Sequence, residues 1–262
     1  MKTLKEFIFA RRSKGGYSFS LDEVKRSLGL SYNAAKQTLY QHQKKKQIAL
    51  IRNGFYVIIP PEYSHSGMLP IYLFIDDLMK WLDKPYYLSL FTAAALHGAA
   101  HQQPMESFVI TVKPALRNVK NEKLIINFSV KNSWDKNDII QKKTDAGYVN
   151  VSSVELTALD LMYYMKHSGI SRCATVISEL AESMSAEKLK QTALRYAPVA
   201  AIQRLGYLLD TQTGRKDLAE QLQKILDKKK YFYAPLSTHH SKKGTFIPKW
   251  KIIKNTGVES DI

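Results

Sequence analysis

The first 60 residues carry an ordered series of helix start and stop signals. Ser20 and Glu23 have the spacing of a capping box, which predicts a helix over Leu21–Leu28. A glycine then predicts a turn, and Ser31 is placed to cap a second helix over Tyr32–Lys46. Two short helices joined by a tight turn constrain the fold more than any other feature of this chain.

A predicted hairpin follows these helices. The dipeptide Asn53-Gly54 favours a two-residue turn, and it lies between the candidate strands Leu50–Arg52 and Phe55–Ile59. Helix, turn, helix and hairpin is the order of a winged helix-turn-helix, in which the second helix enters the major groove. We therefore predict that residues 1–60 form a winged helix-turn-helix domain that binds double-stranded DNA.

The distribution of charge favours the same partner. The formal net charge is +16, and residues 1–60 contain twelve Lys/Arg against three Asp/Glu. Release of counterions from DNA by basic side chains is the main source of sequence-independent affinity. A basic surface also keeps a protein in solution, so charge alone does not decide between the two roles. Its concentration in the predicted DNA-binding segment favours DNA.

The predicted recognition helix has two different faces. Ala35, Leu39 and His42 recur at helical spacing and are expected to face the first two helices, with Leu4, Phe7, Ile8, Val24, Leu28 and Leu30 completing a small core. Amide and lysine side chains suit base edges and phosphates. The predicted DNA-binding residues are Ser31, Tyr32, Asn33, Lys36, Gln37, Tyr40, Lys44, Lys45, Lys46 and Arg52. The alternative is a solvated helix face whose terminal lysines complement the helix dipole.

Composition excludes several classes of protein. Hydrophobic residues make up 45% of the chain, which excludes disorder, and no apolar run reaches the ~20 residues of a membrane helix. The N-terminus lacks the pattern of a signal peptide. The only cysteine is Cys173, so an internal disulfide and a cysteine metal cluster are excluded. We expect a soluble cytoplasmic protein with no membrane partner.

Residues 61–69 include Pro61 and Gly67, and we interpret them as a linker to a second domain over 70–262. Periodicity predicts helices over Pro70–Leu82 and Tyr86–Ala100. Predicted strands follow at Ser107–Lys113, Lys123–Val130, Ile139–Lys143 and Tyr148–Val151. The later predicted elements are helices over Val154–Lys166, Arg172–Met184, Ala186–Tyr196, Val199–Asp210 and Lys216–Lys229, then a strand over Trp250–Ile253. This order favours a larger mixed α+β domain over a parallel βαβ sheet.

Three segments of this second region are similar to a known family. They are Tyr86–Pro104, with the run Ala-Ala-Leu-His-Gly-Ala-Ala-His-Gln-Gln, then Ser153–Leu161 and Gln203–Asp210. Preceded by Gly54-Phe55-Tyr56-Val57 and Pro60-Pro61-Glu62-Tyr63, they resemble the AbiEi family of type IV antitoxins over roughly Leu21 to Trp250.

The resemblance implies a function. Members are antitoxins of two-gene abortive-infection systems that act against phage in bacteria. Their N-terminal domain binds inverted repeats in the promoter of their own operon and represses it. Their C-terminal domain counters a nucleotidyltransferase-like toxin without requiring a stable complex. The DNA-binding role falls on the residues already named, whereas no residue is assigned to antitoxicity. Inverted repeats require two copies, as a dimer or as cooperatively binding monomers.

The histidines and acidic residues of the second region do not predict a catalytic or metal site. His97 and His101 have i, i+4 spacing, but no glutamate follows His97 and no third ligand is evident, so we predict no metal site. Glu155 is interpreted as a capping-box partner of Ser152. Asp160 lies among leucines and is expected to be structural, with Arg204 as a candidate partner.

The sequence also contains no phosphate-cradling glycine loop and no nucleophile motif, so we predict no cofactor and no enzyme. Two alternatives stay open. One is a winged-helix regulator whose second domain senses a ligand or forms oligomers. The other is an enzyme that modifies the toxin or a nucleic acid.

Overall fold

The computed structural model describes residues 3–99, 106–167, 169–196, 198–241 and 243–258. They form a mixed α+β fold, as predicted. No helix in these residues has the length and apolar character needed to cross a membrane. The chain forms two compact units: unit 1 comprises Met1–Tyr87, Met105–Asn132 and Gln141–Asn150, and unit 2 comprises Leu88–Pro104, Ser133–Ile140 and Val151–Ile262. The predicted domains 1–60 and 70–262 remain a prediction.

Unit 1 begins with three helices and a small antiparallel sheet. In chain order the elements are α1 (Leu4–Arg12), β1 (Ser18–Ser20), α2 (Leu21–Leu28), α3 (Tyr32–Lys44), β2 (Ile48–Arg52) and β3 (Phe55–Ile58). The strand order is β1-β3-β2, with β3 antiparallel to both neighbours. The predicted hairpin is therefore joined by a third strand that the sequence pattern does not reveal.

Local side-chain bonds determine where these helices begin and end. The Ser20 hydroxyl accepts from the Glu23 amide at 3.2 Å, and the Glu23 carboxylate accepts from the Ser20 amide at 2.6 Å, which confirms the predicted capping box. Gly29 ends α2 with a φ of 64°, a left-handed conformation that favours glycine. Helix α3 is two residues shorter than predicted, because Lys46 leaves the helix with a φ of 54°.

The core between these elements is largely the predicted one. Leu4, Val24, Leu28, Ala35 and Leu39 are buried, and Phe7, Ile8 and Leu30 pack against them half-buried. The sheet contributes further residues to this cluster, namely Phe19, Ile48, Tyr56 and Ile58. His42 lies at the boundary of the core, where its Nδ1 is 2.6 Å from the Gln47 Oε1.

The next segment differs from its prediction. The helix expected over Pro70–Leu82 is a 3₁₀ turn at Ile71–Leu73 followed by α4 (Ile75–Trp81). The interruption falls at Phe74, whose φ of −143° is not helical. The apolar periodicity is therefore correct, but one residue between the two pieces leaves the helical conformation.

The helix predicted over Tyr86–Ala100 is wrong at its start. Tyr86–Leu88 is a buried strand, β4, and helix α5 covers only Leu90–Leu96. A short apolar run does not by its periodicity distinguish a buried strand from a buried helix. Pairing of Leu88 with the distant Val151 decides the matter here.

A six-stranded sheet contains β4 together with β5 (Glu106–Thr111), β6 (Val119–Lys120), β7 (Ile125–Val130), β8 (Ile139–Thr144) and β9 (Gly147–Ser152). Its order is β6-β7-β5-β4-β9-β8, so β8 and β9, which correspond to the predicted strands Ile139–Lys143 and Tyr148–Val151, are neighbours in the sheet. The sheet is mixed: β5 is parallel to β7, β4 is parallel to β9, and β6 is antiparallel to β7. Residues 112–124, which connect the parallel pair β5 and β7, contain β6 and no helix, so this is not a βαβ unit.

Unit 2 contains the predicted series of helices, with ends shifted by a few residues. After α5 they are α6 (Val154–Tyr163), α7 (Ile170–Ser183), α8 (Ala186–Arg195), α9 (Val199–Gln212) and α10 (Lys216–Leu226). A final sheet has the order β10-β12-β11 and consists of β10 (Ala234–Pro235), β11 (Thr245–Ile247) and β12 (Ile252–Lys254). Helix α6 is central, because it packs against α5, α7, α8 and α9.

The capping box predicted for Ser152 and Glu155 is wrong by one residue. Ser153 caps α6 by accepting from the Leu156 amide at 3.1 Å. The Ser152 hydroxyl is buried at the end of β9 and contacts the Thr157 hydroxyl at 2.7 Å. Glu155 accepts from the Ser185 amide at 3.2 Å, so its carboxylate is used in a long-range contact.

Candidate nucleic-acid interface

Helix α3 presents one buried face and one exposed polar face. Ala35 and Leu39 are fully buried, whereas Tyr32 and Tyr40 are 48% and 50% exposed. The remaining predicted contact residues of the helix are also exposed: Ser31, Asn33, Lys36, Gln37 and Lys44. The core thus fixes the orientation of α3, and the polar residues of the opposite face are directed away from it.

The exposed face of α3 carries two lysines, Lys36 and Lys44, and no acidic residue. Residues Tyr32–Lys44 include no aspartate or glutamate. At its start, Ser31 caps α3 by accepting from the Ala34 amide at 3.3 Å. The remaining first-turn amides and the helix dipole favour an anion such as a phosphate at this end. The surface is therefore electrostatically suited to a polyanion.

Two tyrosine–lysine pairs order this face. The Lys36 Nζ lies 5.8 Å from the centre of the Tyr32 ring, and the Lys44 Nζ lies 4.8 Å from the centre of the Tyr40 ring. Such contacts hold a flexible lysine over an aromatic face. All four residues are among the predicted DNA-binding residues. Their pairing was not predicted, although the i, i+4 spacing of Tyr and Lys is visible in the sequence.

The other three predicted residues lie beyond this helix. Lys45 and Lys46 follow α3 and are exposed. Arg52 is half-buried at the end of β2, donates to the Arg117 carbonyl and has its guanidinium 5.6 Å from the centre of the Phe128 ring. Burial, and then the charge of Arg117, lower the pKa of Arg52. The sequence does not indicate these contacts, because the partner lies 65 residues away.

The segments that resemble the AbiEi family lie largely on α5, α6 and α9 in unit 2, where α6 packs against the other two helices. Asp160 is buried on α6 and accepts from the Tyr196 hydroxyl at 2.7 Å. Burial, followed by the charge of Asp160, holds the pKa of Tyr196 well above its ordinary value. The predicted pairing of Asp160 with Arg204 is wrong, because Arg204 donates to the carbonyls of Pro235 and Met162.

The third of these segments anchors the end of the chain. The Gln203 amide nitrogen lies within 3.0 Å of the carbonyl oxygens of Phe232, Trp250 and Lys251. The indole of Trp250 covers Gly206, where an added Cβ would lie 2.1 Å from a ring carbon. Asp210 accepts from the indole nitrogen of the same tryptophan at 3.0 Å. These polar residues are structural.

The structure shows the surroundings of His97 and Cys173, two residues that could bind a metal or act as a nucleophile. The His97 Nε2 donates to the Ser152 carbonyl at 2.8 Å. His101 lies outside the described residues, as do Gln102 and Gln103. No group of three potential metal ligands occurs within the part of the chain that the structure describes. Cys173 is fully buried, and burial raises the pKa of its thiol to about 12.

The fold is shared with a solved protein. The crystal structure of the RV2827C protein from Mycobacterium tuberculosis matches with a TM-score of 0.67 and 17% sequence identity, covering 94% of this chain and 89% of that one. At this identity the likeness concerns the fold alone. A search of curated proteins found no match to this sequence.

The family is indicated by the middle of the chain, which includes residues of both units. Residues 87–211 match the family model described as the AbiEi antitoxin C-terminal domain. This match supports the AbiEi antitoxin family, and the resemblance predicted from the three segments is confirmed. The family is regulatory rather than catalytic, and its domain supports the role of an antitoxin in a type IV toxin–antitoxin system.

Proposed function

We propose that this protein is an antitoxin that also represses its own operon, by binding inverted repeats in the promoter through a winged helix-turn-helix. The AbiEi antitoxin domain supports the first part. The toxin in this proposal is nucleotidyltransferase-like, and it is countered without a stable complex. The biological role that we propose is abortive infection as a defence against phage.

The arrangement of the first three helices and their sheet supports the DNA-binding part. Helices α2 and α3 are joined at Gly29, and β2 and β3 form the hairpin that would be the wing. The observation that carries the proposal is the division of α3, with apolar residues buried on one face and an acid-free polar face exposed on the other. A helix held in this way has the character of a recognition helix.

The exposed residues have the chemistry that base and phosphate recognition requires. Asn33 and Gln37 can each form two hydrogen bonds with adenine, and Lys36 can reach guanine. Ser31 is placed where a phosphate would meet the helix N-terminus. Lys44, with the two lysines that follow it, would contact phosphates and position the helix without specifying sequence.

A gel-shift titration at two salt concentrations tests the proposal, with the DNA upstream of the gene and a random duplex of equal length. The wild-type protein should shift the upstream DNA at lower concentration. Lys36→Ala combined with Tyr40→Ala should reduce that affinity to the level of the random duplex, because contacts to bases are lost while phosphate contacts remain.

Lys143→Ala combined with Tyr148→Ala is the matched control. It removes the same two residue types from exposed positions on β8 and β9, and it should behave as the wild type. Equal binding of both duplexes by the wild-type protein would contradict specific recognition. An equal effect of the control pair would contradict the assignment to α3.

The two activities should separate in cells. With the antitoxin expressed from a foreign promoter, the variant Lys36→Ala with Tyr40→Ala should still rescue growth from the toxin, since residues 87–211, which match the antitoxin domain, are unchanged. A promoter-reporter assay should show that repression is lost. Failure of the wild-type protein to rescue growth would favour a regulator without antitoxin activity, which is the alternative interpretation of this sequence.

A further inference from the structure

Unit 1 contains a cavity of about 720 Å³ beside the turn between β2 and β3. Its walls are the end of β2 with Asn53, the end of α4 with Trp81, and residues 115–121. This volume falls in the range of ~300–1,000 Å³ that is usual for sites of small molecules. The proposed function assigns no role to this cavity.

The cavity wall carries positive charge without compensation. Arg52, Arg117 and Lys120 contribute to it, and none of its lining residues is an aspartate or glutamate. None of the three cations forms an ion pair with any residue in the described part of the chain. Arg117 and Lys120 are exposed, so their charged groups are accessible to a ligand. An anion is the ligand that such a wall would stabilise.

An aromatic surface lies in the same wall. Trp81 is 42% exposed, although it is a large apolar side chain. Its ring is supported by Phe55, whose centre lies 5.4 Å away, and it lies within 3.5 Å of the position that a side chain on Gly54 would occupy. A fixed, partly exposed indole is a surface on which a base can stack.

We propose that this cavity binds a nucleotide, with its phosphate on Arg117 and Lys120 and its base against Trp81. Arg52 adds positive charge at the wall while its guanidinium remains fixed by the Arg117 carbonyl. The same chemistry has two sources, a free nucleotide or a nucleotide of a DNA strand bound by the protein. Binding of a free nucleotide is independent of the proposed function. Binding of a nucleotide of a DNA strand rests on it, since that function includes binding to DNA.

Calorimetric titration of the full chain with ATP, adenosine and tripolyphosphate tests the site. ATP should bind more tightly than either part alone. Arg117→Gln combined with Lys120→Gln should weaken ATP binding by about tenfold or more, since two charge-assisted contacts are lost. Trp81→Leu should lower the affinity for ATP but leave the affinity for tripolyphosphate unchanged. Lys14→Gln, an exposed cation of unit 1 that does not line the cavity, should change nothing.

A duplex competition separates the two sources. The site holds a nucleotide of the DNA strand if a saturating duplex displaces ATP and if Arg117→Gln with Lys120→Gln lowers the affinity of the protein for the duplex. If ATP binds equally with and without duplex, it holds a free nucleotide. The proposal is overturned if neither ATP nor duplex depends on Arg117 and Lys120. It is also overturned if tripolyphosphate binds as tightly as ATP and Trp81→Leu has no effect.

Discussion

Helices α3 and α9 both carry polar residues, and the structure uses them in opposite ways. On α3 the polar side chains are exposed on one face, whereas the other face is buried in a local core. On α9, Gln203 and Arg204 are buried and donate to backbone carbonyls. The difference arises because α9 is enclosed by α6, α7, α10 and β12.

Buried and exposed polar residues of a helix therefore have different explanations. A buried polar group must find an internal partner, because an unmade hydrogen bond costs about 1–3 kcal/mol. The polar residues of α9 are therefore explained by stability alone. An exposed polar face has no such requirement, so its residue types reflect solvation or a partner. Substitutions on α9 should consequently change stability, and substitutions on α3 should change binding.

The largest effect is expected from Gly206→Ala on α9. A methyl group there would overlap the Trp250 ring, and the rigid indole is itself held by Asp210. We expect the free energy of unfolding to fall by about 3 kcal/mol, which exceeds the ~1 kcal/mol that alanine gains in a helix. Urea denaturation measures this. Gly257→Ala, where an added Cβ meets no atom, is the control, and equal effects of the two would remove the structural role given to the α9 segment.

A smaller effect with a distinct pH dependence is expected from Tyr196→Phe. Loss of one donor to the buried Asp160 should lower the free energy of unfolding by about 1–2 kcal/mol near neutral pH. The pKa of Tyr196 is raised in the folded state, so above pH ~10 only the unfolded chain releases this proton and wild-type stability falls.

The variant lacks this contribution, so its free energy of unfolding should fall less steeply with pH. The slopes of the wild type and the variant should differ by up to about 1.4 kcal/mol per pH unit. Urea titrations from neutral pH to above pH ~10 measure the slope. Tyr148→Phe changes an exposed tyrosine and should reproduce the wild-type curve. Parallel curves for Tyr196→Phe and the wild type would show that this hydroxyl does not stay protonated in the fold.

The smallest effect on stability is expected after α3. Lys45→Gln combined with Lys46→Gln should change the free energy of unfolding by no more than about 0.5 kcal/mol, because both side chains are exposed. The plot of log affinity for DNA against log salt should become less steep by about 2, with the preference for upstream DNA retained. Lys224→Gln with Lys228→Gln removes the same charge from unit 2. If this control changes the slope equally, the lysines after α3 have no special role.

Prediction from sequence succeeded where the determining contacts are local. The capping box of Ser20 and Glu23 spans three residues, and the buried positions Ala35 and Leu39 follow from helical periodicity. It failed where distant strands decide, as at Tyr86–Leu88, which pairs in a sheet although its apolar run also suits a helix. The sequence also did not show which of two adjacent serines caps α6. Ser153 is the cap, whereas Ser152 is buried at the end of β9.

The helices of residues 20–44, the acid-free polar face of α3 and the family resemblance can all be predicted from the sequence, because they depend on neighbouring residues and on motifs. By contrast, the partner of Arg52, the carbonyls that hold Gln203 and the walls of the cationic cavity depend on how the chain folds. The partners in these contacts lie between 29 and 65 residues apart in the chain. Periodicity and capping patterns extend over only a few residues, so contacts of that kind arise when the fold brings separate segments together.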